Sequence, residues 1–414
     1  MLKSPRSQIA VWTLFDFANT SFSVLIVTVG FSLYFKEVIV GGGEYGDFLW
    51  GVTMSVSMLL TAAISPVLGA ASDLSQRKKQ YLFAFTILSV LCTASMVVLE
   101  AGMIVQAMVL FILANIGFEG GLVFYDAYLP GLTTERSYGR VSGYGFAMGY
   151  VGSLVTLLIA MPLYQAGFVQ SNLPSIRFSF VIAAIFFLVF SLPLFLFLRD
   201  HSRVRKEGGS YVREGIRRVN DTVKHLRQYR NVARFLFAFF LYNDGILSVI
   251  AFSSLFAMTS LNFSLQEVLL FFAVVQTTAI VGSILFGILS DHYGPKKTIT
   301  ISLLLWCAII LGSFFVESKA VFYVIGLFAG ACLGGTESAS RSFMAQLTPK
   351  ERAAEFFGFY DGFCGKASAV IGTFLFGFIS YLTGSERLAV LSIGIFFLVG
   401  LVLLQRVKEH EPAG

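Results

Sequence analysis

Nine polar or charged residues stand inside long apolar runs of this 414-residue chain: Asp16, Asn19, Glu119, Asn243, Asp244, Glu337, Arg341, Asp361 and Lys366. An ionisable side chain in hydrocarbon costs on the order of several kcal/mol unless it is paired or hydrated, so each is a candidate for function by default. Carboxylates can load protons or hold an ammonium group, and Arg or Lys can hold a carboxylate. The set predicts a binding site for protons or for a small polar organic solute. Its two signs of charge suit a zwitterion.

Helical spacing groups some of these residues. Asp16 and Asn19 are three residues apart and share one helix face. Asn243 and Asp244 fall near the middle of their run at a rise of about 1.5 Å per residue. We assign these four residues to the lining of a central cavity.

Two other pairs lie in the second half of the chain. Glu337 and Arg341 are four residues apart, so a helix would let them pair. Two interpretations stay open for them: a structural pair that neutralises itself, and a pair that binds substrate. Asp361 and Lys366 are five residues apart and are expected on different faces of an α-helix. For Lys366, extension toward the outer surface is the alternative to a role in the site.

Glu119 has no cation nearby on its own run. It shares a face with Asn115, whose amide can hydrogen-bond a protonated carboxyl. Glu337 stands at the corresponding position of the other half, one turn from Arg341, and an adjacent cation favours the ionised carboxylate. We hypothesise that Glu119 carries a coupled proton or a substrate ammonium. Glu337 would then mainly hold Arg341 for a substrate carboxylate.

The elements that position these side chains are membrane helices. Hydrophobic residues make up 56% of the chain and charged residues only 13%, whereas a soluble domain needs about 25% charge. A span needs about 20 mostly apolar residues, and twelve runs qualify: 9–35, 47–71, 80–99, 102–130, 140–166, 176–198, 232–258, 266–289, 298–316, 319–347, 353–382 and 386–405. We expect an all-α membrane protein with twelve transmembrane helices in two six-helix bundles, residues 1–198 and 232–414.

The cysteines and histidines do not indicate chemistry of their own. The four cysteines lie in apolar segments without metal-ligand spacing. No nucleophile or metal constellation is evident in the sequence. We therefore expect no cofactor, no bound metal and no enzymatic activity.

Two polar loops repeat just over half a chain apart. Gly69, Asp73 and Arg77 form the first, and Gly287 and Asp291 begin the second. Glycine lets two helices approach closely, and the Asp and basic residues form a polar turn at a membrane surface. The paired motif resembles the loops that follow helices two and eight of the major facilitator superfamily. That resemblance implies a transporter of two pseudo-symmetric halves whose cytoplasmic gate includes these residues.

Asp126 lies near the end of the fourth run, just before Pro130. We expect it to pair with Arg77 as a latch of that gate. A role in substrate binding is the alternative.

Positive charge is concentrated on one predicted side of the membrane. All but six of the 30 Lys and Arg residues fall in segments on the side of the N-terminus, the exceptions being Lys36, Arg177, Lys319, Arg341, Lys366 and Arg387. This bias predicts that both termini are cytoplasmic. The short termini further suggest a plasma membrane. The net charge of +6 is attributed to topology and to contact with anionic lipid, not to nucleic-acid binding.

The longest linker, residues 199–231, is rich in Arg and contains Gly208 and Gly209. Its apolar residues are spaced by four, three, four and three, as on one helix face: Val212, Ile216, Val219, Val223 and Leu226. We expect an amphipathic helix that lies on the cytoplasmic surface and joins the two halves. A regulatory binding helix is the alternative.

Three further segments narrow the resemblance: FDFANTSF at 15–22, FYDAYLP at 124–130 and SGYGFAMGYVG at 142–152. Together they resemble the unknown-major-facilitator branch, which includes the fungal vacuole effluxer implicated in amino-acid export. The resemblance implies a secondary transporter, with amino acids as its only indication of substrate.

The sequence therefore favours a monomeric transporter that moves a small polar solute by alternating access between two halves, with proton coupling as an expectation. An exporter of drugs or metabolites is the alternative within this class. A non-transporting membrane sensor would need an added soluble domain or a large interaction loop, and neither is evident in the sequence.

Overall fold

The computed structural model describes residues 4–198 and 210–409, and every regular element among them is a helix. Gly208 and Gly209 of the linker lie outside the described residues. The first six spans are α1 (Pro5–Ile39), α2 (Gly43–Ser75), α3 (Lys78–Ser95), α4 (Ile104–Asp126), α5 (Tyr138–Tyr164) and α6 (Leu173–Phe197). The last six are α7 (Arg230–Ser260), α8 (Leu265–Tyr293), α9 (Pro295–Phe315), α10 (Lys319–Leu347), α11 (353–383) and α12 (Glu386–Gln405). Between the two sets, the linker helix is Tyr211–Lys224.

Eleven helices among the described residues are long and apolar enough to cross a membrane. The remaining span, α11, is not the continuous helix that its hydropathy predicted. It consists of Ala353–Phe357, a π-helical segment Gly358–Cys364, the short helix Gly365–Ala367, and the apolar helix Ala369–Thr383. π-Helical turns are rare and are frequent at functional sites. The predicted all-α membrane fold is confirmed. Besides the break in α11, the span α1 contains two π-helical segments, Ser23–Thr28 and Phe35–Ile39.

Aromatic contacts fix the inner helices of each bundle. In the N-terminal half, Trp12 and Phe15 of α1 stack on Tyr125 of α4, with ring centroids 4.5 and 4.9 Å apart. In the C-terminal half, Phe239 of α7 packs on Tyr360 of α11 with centroids 4.2 Å apart. These contacts hold α1 against α4 and α7 against α11. They thereby fix the positions of the polar residues on these four helices.

The halves meet through α5 with α8 and α10, and through α2 with α11. We call the end of the molecule that carries the two Gly/Asp loops and the linker helix the motif face. There a Cβ on Gly69 would lie 2.1 Å from the carbonyl oxygen of Ala354, and one on Gly287 would lie 2.6 Å from that of Gly139. Only glycine fits such approaches. The molecule is therefore closed at the motif face.

The outer part of α11, Ala369–Thr383, packs mainly on α7 and α12 of its own half.

Candidate functional site

A buried arginine joins the two halves. Arg341 of α10 is 2% exposed. Its guanidinium donates to Asp126 Oδ1 at 2.9 Å and to Asp16 Oδ2 at 3.3 Å. It also donates to the hydroxyl and the carbonyl oxygen of Ser142, at 2.9 and 2.7 Å. All three partners belong to the N-terminal half, so one cation neutralises part of the charge of two carboxylates across the interface. We call Asp16, Asp126, Ser142 and Arg341 the arginine cluster.

Further contacts complete the arginine cluster. The guanidinium carbon lies 4.0 Å from the ring centroid of Phe146, within the range of a cation–π interaction. The Tyr125 hydroxyl donates to Asp16 Oδ2 at 2.7 Å. Gly145 leaves the space that these groups occupy, because a Cβ there would lie 2.5 Å from both Arg341 Nη2 and Asp16 Oδ2.

A second set of charged residues lies between the halves, farther from the motif face than the arginine cluster. Lys366 Nζ of α11 is 2.6 Å from Glu119 Oε2 of α4. Asp361 interacts electrostatically with Lys366, and its Oδ2 is buried without a hydrogen-bond partner. Asp361 and Lys366 were expected on different faces of one α-helix, but Asp361 lies in a π-helical segment and Lys366 in the short α-helix that follows it, so α-helical spacing does not apply between them. We call Glu119, Asp361 and Lys366 the lysine cluster.

Glu337 makes a third contact across the interface. Its Oε2 accepts a hydrogen bond from the Tyr150 hydroxyl of α5 at 2.7 Å. Glu337, Asp361 and Lys366 are only half-buried, in contrast to Arg341. These three side chains keep part of their surface exposed, whereas Arg341 has almost none.

Helix geometry orders the two clusters by depth. Arg341 stands six residues before the end of α10 at Leu347, about 9 Å at 1.5 Å per residue, and Glu337 stands about 15 Å before that end. Glu119 stands seven residues before Asp126, the last residue of α4, or about 10 Å. The arginine cluster therefore lies between the lysine cluster and the motif face.

The expected pairing of Asp126 with Arg77 is wrong. Asp126 binds Arg341 of the opposite half instead. Arg77 is exposed at the start of α3. Its side chain makes no ion pair with any residue that the structure describes. The sequence alone favoured the nearer basic loop, but docking of the halves supplies a buried cation.

The expected pairing of Glu337 with Arg341 is also wrong. Glu337 hydrogen-bonds Tyr150 and not Arg341, because the guanidinium is turned toward the N-terminal half. The Asn115 amide nitrogen donates to Ser57 Oγ of α2 at 2.9 Å, while Asn115 Oδ1 is buried without a partner, so a hydrogen bond from a protonated Glu119 stays a prediction. Helical spacing placed these residues on shared faces but did not decide which neighbour each one would meet.

Asn243 and Asp244 lie within the C-terminal half and not between the halves. Both carboxylate oxygens of the fully buried Asp244 accept from the backbone N–H of Gly372 at 2.9 Å. Asn243 Nδ2 donates to Ser368 Oγ at 2.7 Å. Both residues thus hold the start of Ala369–Thr383, where α11 resumes after its break. Asp244 is enclosed by these contacts and does not line a cavity, whereas the half-buried Asn243 stays a candidate for the cavity lining.

At the motif face, each loop aspartate caps a helix of the opposite half. Asp73 accepts from the backbone N–H groups of Ala354 and Glu355, at 3.2 and 2.9 Å, at the start of α11. Asp291 accepts from the N–H of Gly139 at 2.8 Å, at the start of α5. The first N–H groups of a helix have no partner within it and carry its positive dipole end, so they favour an anion. These two contacts close the face.

The chain has clear relatives. A family model described as "Vacuole effluxer Atg22 like" matches residues 50–139 and 133–412. The chain belongs to the Atg22-like family. It is 30% identical to the "Uncharacterized MFS-type transporter YxiO" of Bacillus subtilis, over 99% of this chain and 97% of that protein. It is 24% identical to autophagy-related protein 22 of Yarrowia lipolytica, over 86% of this chain and 76% of that one.

Solved structures agree on the fold of this Atg22-like protein. The human organic anion transporter MFSD10 superposes with a TM-score of 0.78 at 14% identity, over 98% of this chain and 100% of that one. The E. coli fucose:proton symporter FucP superposes with a TM-score of 0.76 at 14% identity, over 98% of both chains. At these identities the likeness shows the fold alone. Together with the family match, it identifies a major facilitator transporter, and the predicted family is confirmed.

Several residues of the site in this Atg22-like transporter were not selected from the sequence. Four of them, Tyr125, Ser142, Gly145 and Tyr150, entered only through the segments that carry the family resemblance. Their signal was the density of small residues in 142–152, which lets α5 approach α1 and α10. Asn19 was selected; it is 4% exposed near Asp16, yet its amide nitrogen makes no well-formed hydrogen bond.

Proposed function

We propose that this transporter moves a small zwitterionic solute, with amino acids as the first class to test, by alternating access between its two halves. The observation that supports this is the lysine cluster with Glu337 and Tyr150. It offers half-buried groups of both signs between the halves. Lys366 would bind the substrate carboxylate. Asp361 and Glu337 would bind the ammonium group. A hydrophobic drug would not need both signs.

The arginine cluster has a different proposed role. Arg341 is fully enclosed, and its hydrogen bonds are directed to Ser142, Asp16 and Asp126. It lies between the lysine cluster and the motif face. We therefore assign it to the inner gate and not to substrate binding. The sequence suggested that Arg341 binds the substrate carboxylate, and we now propose Lys366 for this role.

The contact that holds Lys366 supports a proposal of proton coupling. Its ammonium group already has a carboxylate partner, Glu119, at 2.6 Å. A proton that binds Glu119 Oε2 removes the charge of this carboxylate and frees Lys366 for the carboxylate of the substrate. Loss of the proton would return Lys366 to Glu119 and favour release. This mechanism keeps Glu119 as the proton carrier.

The substrate is tested by counterflow in proteoliposomes, which does not depend on the direction of transport in the cell. We expect exchange of labelled leucine, and much weaker exchange of leucine methyl ester or of the deaminated acid, because each lacks one charge. Lys366→Ala should abolish exchange of leucine. Lys319→Ala is the matched control, because Lys319 also pairs with a carboxylate, Glu267, at 2.7 Å but away from the site. Exchange by Lys366→Ala at the level of this control would refute the assignment.

Glu119→Gln tests the coupling separately. A glutamine cannot ionise, so Lys366 stays free, and counterflow should be retained while uptake driven by a pH gradient is lost. Loss of both activities would favour substrate binding by Glu119 instead. A variant that keeps wild-type activity in both assays would exclude Glu119 from transport.

We further propose that the protein acts as a monomer in the plasma membrane with the motif face and both termini in the cytoplasm. The charge bias along the sequence supports this orientation. A cysteine-labelling experiment for it is given below.

A further inference from the structure

The linker helix contacts both halves at the motif face. Gly215 lies against α2 of the N-terminal half, where a Cβ would be 2.7 Å from the carbonyl oxygen of Val67. Arg218 Nε donates to Glu355 Oε2 of α11 at 2.7 Å, and the Thr222 hydroxyl donates to Glu355 Oε1. Glu355 is fully buried. The linker helix thus spans the seam between the halves.

These contacts depend on the closed state of the face. The backbone N–H of Glu355 donates to Asp73 at 2.9 Å, so the same residue is held by α2 and by the linker helix. Arg352, just before α11, donates to Thr222 Oγ1 at 3.2 Å and to the Tyr229 hydroxyl at 2.8 Å. If α2 and α11 move apart, the linker helix must lose either its contact with α2 or its grip on Glu355. It is a clamp that is complete only in the closed form.

On its other sides the linker helix makes no hydrogen bond across the seam with a residue that the structure describes. Val212, Ile216 and Val223 are 44%, 48% and 49% exposed. At about 100° per residue they form one stripe, roughly 100° around the helix from the docked residues. Farther around lie three exposed basic residues, Arg213, Arg217 and Lys224. The helix therefore presents an apolar stripe bordered by positive charge.

The depth of this stripe indicates what covers it. Gly215 lies against Val67 and Ala71 of α2, which stand eight and four residues before the end of that helix at Ser75. At 1.5 Å per residue this is about 6–12 Å below the helix end. Amphipathic helices bury their apolar face about 5–10 Å into the boundary of headgroups and acyl chains. The stripe is held at the depth of lipid headgroups, and its basic border complements anionic ones.

We propose that the linker helix is a lipid-binding clamp: anionic phospholipids of the leaflet at the motif face bind its apolar and basic sides and stabilise the form closed at that face. Lipid binding holds the helix at the height where its docked side reaches α2 and Glu355 together. The lipid composition of that leaflet then sets the balance between closed and open forms. This regulation is separate from substrate binding.

The test measures the population closed at the motif face without substrate. Spin labels at Gln80→Cys and Lys350→Cys, in a background with the native cysteines replaced by Ser, report the distance between the halves there. Both positions are exposed, one in each half. The protein is placed in nanodiscs of phosphatidylcholine alone or mixed with phosphatidylglycerol. We expect the ratio of closed to open molecules to rise at least about five-fold when the anionic lipid is present. A change of about five-fold corresponds to the attraction of one basic residue to an anionic membrane surface.

Two triple variants identify the surface. Reversal of the linker charges (Arg213→Glu, Arg217→Glu, Lys224→Glu) should remove the dependence on anionic lipid. Reversal of three exposed basic residues elsewhere on the motif face (Arg136→Glu, Lys297→Glu, Lys408→Glu) should retain it. Arg218→Ala should lower the closed population in both lipids, because it removes the grip on Glu355. If the linker reversal misfolds, replacement of Val212, Ile216 and Val223 by Ser tests the same surface through its apolar stripe.

The proposal is overturned if the ratio is the same in both lipids, or if the two reversals change it equally. A lipid-independent ratio would instead favour a protein partner on the exposed side. Because no substrate is present in these measurements, failure of the amino-acid assay leaves their outcome unaffected.

Discussion

Removal of the Arg341 cation should destabilise this protein far more than removal of an exposed one. Arg341→Met keeps most of the side-chain volume but leaves the carboxylates of Asp16 and Asp126 buried without their cation, and Ser142 loses two hydrogen bonds. Removal of one partner from a buried ion pair costs about 3–5 kcal/mol, because it leaves an uncompensated charge. Two carboxylates are left here, so we expect the upper part of that range. The destabilisation should appear as easier unfolding of the protein or as a larger population that is open at the motif face.

The assay is therefore double: denaturation of the purified protein in detergent, and the distance between the spin labels described above. Lys319→Met is the control, because its pair with Glu267 is largely exposed and exposed pairs contribute little. The triple variant Arg341→Met, Asp16→Asn, Asp126→Asn should recover most of the lost stability, since a buried ion network can be replaced by neutral groups at little cost. Equal effects of Arg341→Met and the control, or a triple variant no more stable than the single one, would refute this account of the arginine cluster.

Three further predictions concern packing, the gate and topology. Gly145→Ala should lower the free energy of unfolding by about 1–3 kcal/mol, because its Cβ would overlap the arginine cluster. Gly131→Ala is the control and should have no such effect, because a Cβ there meets no atom within 4 Å. Equal melting temperatures of the two variants would contradict the packing argument. Asp73→Asn should weaken the cap of α11 by about 1 kcal/mol and raise the open population at the motif face, and an unchanged spin-label distance would exclude a gate role for its charge. Cysteines at Ser210 and Ser385 should label from opposite sides of the membrane, and labelling of both from one side would refute the proposed topology.

The sequence predicted the spans well and the partners of the buried charges poorly. Hydropathy depends only on local composition, so the twelve runs follow from the length a bilayer requires. The partners of Arg341 and Lys366 lie in the opposite half, far away in sequence, and depend on how the halves dock. Helical spacing suggested Glu337 for Arg341, the local choice, but the guanidinium is turned across the interface.

The break in α11 escaped prediction for a related reason. Hydropathy does not distinguish a π-helical segment from an α-helical one, so Asp361 and Lys366 were placed on different faces. The contacts that support the break come from α7, where Asp244 binds the backbone of Gly372 and Asn243 binds Ser368. Glu337 stands at the position that corresponds to Glu119, yet Glu337 accepts a hydrogen bond from Tyr150 whereas Glu119 pairs with Lys366. Symmetry of sequence positions therefore does not carry over to symmetry of roles.

The charge balance between the halves bears on how the motif face can open. The cross-half clusters and Glu337 contain five acids and two bases: Asp16, Glu119, Asp126, Glu337, Asp361, Arg341 and Lys366. Three carboxyl groups are thus without a matching cation even when the halves are closed. Separation of the halves would take Arg341 away from both of its carboxylates, and an uncompensated buried charge costs several kcal/mol, on the order of the whole conformational difference between two transport states. Opening therefore requires water, a proton or a substrate ammonium to reach these acids. Of these, only the proton and the ammonium link the opening to cargo, and this is the physical reason to look for coupling at the carboxylates of the site.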